Sequence, residues 1–228
     1  MIFGGWQKCT LIDFPEKIAA ILFAQGCDFR CPYCHNHGLW ARRTESSVAW
    51  ETIFEFLKTR RGKLDGVVIS GGEPTLQVDL PDILAEIHKL GFATKLDTNG
   101  NHPDILEKLL GACLLDFVAM DLKHLPARYT QACGVDVLPE NILQSVKLIK
   151  ESTIDHEFRT TVVPGLHRLG DLPQLVPIIQ GARRFTLQNF APTHAADLAL
   201  RARKPFEPAA LEKLRPVFTP IVEIFTIR

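Results

Sequence analysis

The 228-residue chain has no surplus of either charge: lysine plus arginine and aspartate plus glutamate each total 26. No net field therefore advertises nucleic acid or an acidic membrane as a partner, although a local basic patch stays open. No apolar run approaches the length needed to cross a bilayer. The start, Met1-Ile2-Phe3-Gly4-Gly5, lacks the basic region, long apolar core and cleavage site of a secretory signal. A soluble cytoplasmic location, with no membrane and no nucleic acid, is the expectation. Glycine- or serine-rich linkers and low-complexity tracts are also missing, and the length suits one sizeable core.

The six cysteines, at 9, 27, 31, 34, 113 and 133, lack the spacing of a small disulfide scaffold. Three of them fall within Gly26-Cys27-Asp28-Phe29-Arg30-Cys31-Pro32-Tyr33-Cys34-His35-Asn36. Thiols so close can converge on one metal assembly, and thiolates suit iron-sulfur clusters or zinc. No obvious fourth ligand exists elsewhere. A structural zinc site is normally closed by four protein donors, whereas a cubane cluster held by three thiolates leaves one iron free. His35 and His37 could complete a zinc site, but they lie so near Cys34 that reaching the same metal would strain the loop. Packed cysteines without a metal are the remaining alternative.

Hydrophobic periodicity places this loop in a repeating pattern. Residues 17–23 read as a buried strand ending at Gln25-Gly26, with a strand and turn over 9–15 upstream. A helix is expected over 47–59, with Ser46 or Ser47 as cap. The strand 64–70 runs into Gly71-Gly72-Glu73-Pro74-Thr75, and helix 81–90 leads to strand 92–96 and Asp97-Thr98. Helix 103–110 leads to strand 114–120 and Asp121-Leu122-Lys123. Four times in succession a hydrophobic strand hands over to residues able to bind something, which is the signature of βα units. Beyond an irregular stretch over 124–138, where the Cys133 thiol is read as a bystander, come helix 141–150 and strand 156–163. Helix 172–179, with Pro173 in its first turn, precedes a sixth strand over 185–190. A last helix over 208–214 and a closing strand over 221–227 complete the chain.

Each polar strand end also has a bland reading. Gly-Gly-Glu-Pro is an everyday turn, Tyr33 a packed aromatic, Asn36 or Asp13 a turn cap. Lone charges at Asp97, Asp121 and Lys123 suit solvated loops, and Arg159 could exit to solvent.

The cysteine string, with its 3- and 2-residue gaps and the aromatic before the last thiol, resembles the cluster motif of the radical S-adenosylmethionine (SAM) superfamily. The wider pattern, Gly5-Trp6 through Cys9-Thr10-Leu11-Ile12-Asp13-Phe14-Pro15 to Cys34-His35-Asn36, is similar to the activating enzymes of anaerobic ribonucleoside-triphosphate reductase. Six βα units are too few for an eight-stranded barrel. The resemblance implies an α/β fold, a partial (β/α)6 TIM-like barrel of the radical SAM type. A single domain over 1–228 would have 1–16 as an N-terminal strand and turn and 191–228 as a C-terminal extension.

By the same resemblance, Cys27, Cys31 and Cys34 hold a [4Fe-4S] cluster whose fourth iron takes the amino and carboxylate groups of SAM. Gly71 and Gly72 let the backbone approach the methionine part, with Glu73 beside them. Tyr33 and Asn36 face the nucleoside. Asp97, Thr98, Asp121 and Lys123 form a polar SAM shell, with Lys123 as carboxylate or ribose partner, and Asp97, Thr98 and Asp121 also suit a monovalent cation. Arg159 bridges to SAM, Asn189 makes a further contact, and Asp13 faces a polypeptide substrate. The implied reaction is reductive cleavage of SAM to a 5′-deoxyadenosyl radical that installs a glycyl radical on the anaerobic reductase, with a flavodoxin- or ferredoxin-like electron donor. The alternatives are activation of another glycyl radical enzyme, a small-molecule radical SAM synthase, and a non-enzymatic iron-sulfur or zinc-binding adaptor.

Overall fold

A computed structural model describes residues 1–43, 45 and 47–228. These residues form two compact units. The first comprises Met1–Asp28, Gly38–Thr98 and Asp104–Val118; the second comprises Phe29–His37, Asn99–Pro103 and Ala119–Arg228.

In the first unit, strand β1 (Phe3–Thr10) pairs antiparallel with β2 (Ala19–Ala24), Phe3 facing Ala24 and Thr10 facing Ala19. The strand thus begins six residues before the stretch 9–15 expected from sequence, which is mostly turn. Strand β2 runs parallel to β3 (Gly66–Gly71), and β3 parallel to β4 (Ala93–Thr98). Parallel strands are covered on both faces, so their sequences are continuous apolar runs. Leu22, Val67, Val68, Ile69 and Leu96 are accordingly fully buried.

Helices α1 (Trp50–Thr59) and α2 (Leu80–Lys89) follow β2 and β3, and α3 (Pro103–Gly111) follows β4. Helix α1 buries Ile53 and Leu57 but starts later than expected, with Ala49 at its N-cap and no side-chain cap. Ser47 therefore does not cap it, and Ser46 lies outside the described residues. Strand β5 (Phe117–Asp121) contributes Phe117 and Val118 to this unit and its remainder to the second.

In the second unit, β6 (Asp155–Val162), β7 (Arg184–Asn189) and β8 (Ile224–Ile227) are parallel neighbours. Helices α4 (Tyr129–Cys133) and α5 (Pro139–Glu151) precede β6, the latter burying Ile142, Val146 and Ile149 as the period of 3.6 requires. The helix expected over 172–179 is instead a 3-10 segment, Leu169–Leu175, followed by the single turn α6 (Val176–Ile179). Pro173 and Pro177 lack N–H donors four residues apart, so a regular α ladder cannot form there. Short helices α7 (Leu198–Arg201), α8 (Pro208–Glu212) and α9 (Arg215–Phe218) lead to β8. Phe185, Phe218 and Phe225 stack with ring centroids 5.0 to 5.9 Å apart and seal this end of the core. Asn189 closes the excursion between β7 and α8: its Nδ2 donates to the Phe206 carbonyl at 2.7 Å, and its Oδ1 accepts from the Phe206 N–H at 3.2 Å.

Candidate functional site

The sequence-predicted residues fall into two groups, one in each unit. In the first, the end of β2 carries Gln25, Gly26 and Cys27. The chain after the cysteine loop returns to it, the Gly26 N–H donating to Leu39 at 2.7 Å and the Cys27 N–H to Trp40 at 3.3 Å. The end of β3 packs closely on the same edge, with the Gly72 N–H bonded to Ala24 O and the Glu73 N–H to Gly26 O at 2.7 Å. Both glycines are required. Gly71 has φ +111°, and a Cβ on Gly72 would sit 2.1 Å from the Gly26 carbonyl oxygen.

Glu73 is fully buried, and one of its carboxylate oxygens accepts from the Thr75 N–H (3.1 Å), the Thr75 hydroxyl (2.6 Å) and the Thr98 hydroxyl (2.8 Å). It thereby ties the glycine turn to the end of β4. On β4, Asp97 accepts from Ser70 at 3.0 Å and pairs with Lys95. Lys95 keeps only 2 % exposure and lies over the Phe117 ring at 5.6 Å. The sequence reading missed it. The signal was present, because residues two apart in a strand share a face and an interior lysine needs a partner.

Asp13 follows the exposed pair Leu11 and Ile12, 71 % and 82 % accessible, and its carboxylate accepts from the Thr10 hydroxyl.

The second group lies in the second unit. Cys31 is buried, and Cys34 is partly exposed with its N–H bonded to Cys31 O. Asn36 is exposed beside them. Tyr33 is 6 % exposed, and its hydroxyl has no hydrogen-bond partner. Burial pushes that phenol well above its usual pKa, with the neighbouring Cys31 sulfur adding to the effect. A buried hydroxyl without a partner is the kind of atom a ligand satisfies.

Asp121 sits at the end of β5 between two cations, Lys123 Nζ on one oxygen and Arg159 Nε on the other, both at 2.8 Å. Burial alone would raise its pKa; Arg159 and then Lys123 outweigh it and hold the carboxyl well below the usual range. For Lys123 burial acts downward, but Asp121, Tyr33 and Cys31 win and the ammonium is strongly favoured. One carboxylate and two cations leave a local positive surplus, suited to a carboxylate-bearing ligand.

Two supports were illegible in the sequence. The Tyr129 hydroxyl accepts from the Lys123 N–H at 3.0 Å and donates to Asp121 O at 3.3 Å, pinning the strand end. His167 and His124 stack at 4.5 Å, nearly parallel. In His167, Nδ1 accepts from the Val163 N–H at 3.1 Å, so Nε2 carries the proton it donates to Lys123 O at 3.0 Å. The same logic applies to His124, which accepts from the Leu125 N–H and donates to Leu166 O. Cys133, read from sequence as a bystander, is fully buried, and its backbone carbonyl accepts from the Arg30 N–H of the cysteine loop at 2.7 Å; its side chain, against the opposing effect of burial, lowers the Cys31 pKa.

Asn189 spends its amide on Phe206, as described above. Among the described residues, no group of three or more His, Cys, Asp or Glu side chains is arranged to hold a single metal ion, and no helix is long and apolar enough to cross a membrane.

Residues 21–169 match the family described as the Radical SAM superfamily. The chain is 36 % identical over 204 residues to a protein of Methanocaldococcus jannaschii named as a glycyl-radical enzyme activating enzyme, covering 86 % of this chain and 82 % of that one. It is 32 % identical over 182 residues to the pyruvate formate-lyase 1-activating enzyme of Escherichia coli K12, covering 73 % and 72 %. Among solved structures, Streptococcus suis SuiB bound to the precursor peptide SuiA superposes with a TM-score of 0.69 at 18 % identity. That match covers 91 % of this chain and about half, 48 %, of SuiB. Coproporphyrinogen III oxidase of Escherichia coli gives 0.60 at 14 % identity, covering 92 % and 54 %. These two likenesses bear on the fold alone, which is mixed α/β with a sheet of the partial (β/α)6 type.

Proposed function

Since this chain belongs to the radical SAM superfamily and, within it, to the glycyl-radical-enzyme activating enzymes, we propose that it installs a glycyl radical on a partner enzyme. The observation that carries the reading is the extent of the match to activating enzymes, in a chain whose cysteines 27, 31 and 34 form no disulfide.

The donor set fits a thiolate-bound cluster. Thiolates that each bind a different iron need not converge as the ligands of one ion do, so the lack of a ready single-ion site is compatible with it. Cys27, Cys31 and Cys34 would hold a [4Fe-4S] cluster, and the Asp121, Lys123 and Arg159 group and the Gly71-Gly72 turn would hold SAM. Bound there, cluster and SAM would supply one-electron reductive chemistry for removing a glycine Cα hydrogen from the partner.

The chain's own residues do the rest. Glu73 and the glycine turn present a rigid backbone edge with no side chain in the way. Tyr129 and His167 fix the backbone around Lys123, so its ammonium and the Arg159 guanidinium are pre-positioned for a carboxylate. The orphan Tyr33 hydroxyl offers a donor or acceptor to the nucleoside side. Asp13, beside the exposed Leu11-Ile12 tip, faces the polypeptide substrate. A monovalent cation near Asp97, Thr98 and Asp121 belongs to the same proposal, as does a flavodoxin- or ferredoxin-like reductant.

The sequence pattern alone pointed to anaerobic ribonucleoside-triphosphate reductase as partner. The named relatives favour a wider reading, since several are pyruvate formate-lyase activating enzymes. The partner is therefore a glycyl radical enzyme of either kind. Anaerobic reconstitution followed by electron paramagnetic resonance (EPR), with and without SAM, tests the chemistry. A cluster spectrum unchanged by SAM, with no 5′-deoxyadenosine formed, would sink it. Incubating the active protein with the reductase and with a pyruvate formate-lyase separates the targets by which one develops the glycyl doublet.

A further inference from the structure

In the second unit, strands β6 and β7 carry a ladder of polar side chains on the face opposite their apolar one. Phe158, Thr160 and Val162 on β6, and Phe185 and Leu187 on β7, are fully buried. Residues two apart in a strand share a face, so Glu157, Arg159 and Thr161 lie together on the other side. The parallel register sets Thr186 beside Arg159 and Gln188 beside Thr161. At the lowest rung, the buried Glu157 accepts from the Thr186 hydroxyl at 2.6 Å and pairs with Arg228 at 3.3 Å. At the middle rung, Arg159 is committed to Asp121. The rung nearest the strand ends is different. Thr161 and Gln188 are only half-buried, and one long hydrogen bond, Thr161 Oγ1 donating to Gln188 Oε1 at 3.4 Å, orients the carboxamide. The two N–H donors of Gln188 have no partner among the described residues.

We propose that Gln188 binds the backbone of the polypeptide substrate at its reacting glycine, donating its amide N–H groups to a peptide carbonyl, with Thr161 as the positioning residue that fixes the carboxamide. The inference rests on the glycyl-radical reading above and deepens it. A glycine has no side chain, so a site that selects it can grip that residue only through backbone N–H and C=O groups. A carboxamide carries the donor and acceptor types of a peptide group and matches them. The rung is uncharged, whereas the positive surplus of Asp121, Lys123 and Arg159 begins two residues down the strand from Thr161, about 7 Å away. One face of the sheet thus offers adjoining places to a carboxylate-bearing ligand and to a neutral peptide. The ends of parallel strands are also where α/β folds place their ligands.

The test uses the full chain, reconstituted anaerobically, with whichever of the reductase and pyruvate formate-lyase develops the glycyl doublet with wild type. Initial rates of doublet formation give KM for that partner, and calorimetry without the partner gives the affinity for SAM. In Gln188→Ala, KM should rise roughly tenfold, the worth of one or two hydrogen bonds. Gln188→Glu keeps the shape and the acceptor but loses the N–H donors, so its KM should rise at least as far; it also stands in if Ala disturbs the packing. Thr161→Val, which loses only the hydroxyl, should raise KM about threefold, and Thr161→Ser, which keeps it, should return to wild type. The affinity for SAM should match wild type in all four variants. An unchanged KM in both Gln188 variants overturns the proposal. A fall in SAM affinity, whatever KM does, assigns the rung to SAM and overturns it as well. Equal values in Thr161→Val and Thr161→Ser overturn the positioning role of Thr161. A wild type that develops the doublet on neither partner removes the activase reading and this inference with it, before any variant is compared.

Discussion

Lowering the pH should destabilise the fold through one imidazole, and the size of the effect follows from its hydrogen bonds. His167 can keep its contacts to Val163 N–H and Lys123 O only as the neutral Nε2–H tautomer, because a proton on Nδ1 would face a donor. Burial, then the neighbouring His124, lower its pKa from 6.5 to about 4. The unfolded chain therefore binds more protons than the native one between these values, so stability rises with pH through that window and falls on acidification. The full span is 2.5 units, or about 3 kcal/mol. Between pH 7 and 5 the loss is about 2 kcal/mol, and above pH 7.5 it vanishes. His124, also shifted downward by burial, adds to the same slope. Urea denaturation of wild type and His167→Gln at pH 7.5, 6 and 5 isolates the effect, since the carboxylates titrate alike in both proteins. Gln offers an acceptor and a donor but takes up no proton. The wild type should lose about 2 kcal/mol more than the variant over this range; parallel curves would show that His167 is not held neutral.

Three further substitutions probe the site. Asp121→Asn leaves Lys123 and Arg159 partly buried without their counter-charge and should cost about 3–5 kcal/mol, read as a shifted denaturation midpoint, with SAM binding lost in calorimetry. Gly72→Ala places a methyl group on the Gly26 carbonyl. It should destabilise by about 1–3 kcal/mol and abolish 5′-deoxyadenosine formation, whereas Gly91→Ala, with open space around it, should pay only for its left-handed backbone and keep the activity. Glu73→Ala strands the Thr75 and Thr98 donors and should cost roughly 3 kcal/mol. Glu73→Gln, which keeps an acceptor oxygen, should cost clearly less; equal costs would show that the carboxylate's charge, not its acceptor role, matters.

The parallel strands were legible because burial on both faces writes them as unbroken apolar runs, as at Val67-Val68-Ile69. Their ends shifted by one to three residues, since hydrogen bonding continues into the polar handover at Asp97, Thr98 and Asp121. Helix 172–179 misled because its apolar spacing outweighed two prolines that in fact decide the local geometry. Residue types that bind were visible at strand ends, but what each side chain touches was not. Lys95, Tyr129, His124 and His167 act through partners 1 to 44 positions away, as with His124 and Leu125 or His167 and Lys123, and hydrophobic periodicity carries no record of such pairings. Asn189 is the converse: a polar residue at a strand end whose amide is engaged by Phe206.

That last arrangement has a consequence for how the molecule tolerates change. One amide holds both feet of the excursion over 190–205, while the Asp197 N–H bonded to Pro32 O lays its middle on the cysteine loop. Phe190, Ala195 and Leu200 bury the segment's apolar side in the core, so those positions are fixed by packing. Its exposed positions, Leu198 among them, are free of that constraint and form a rim beside the cysteine loop whose side chains can change while β7 and α8 stay in place.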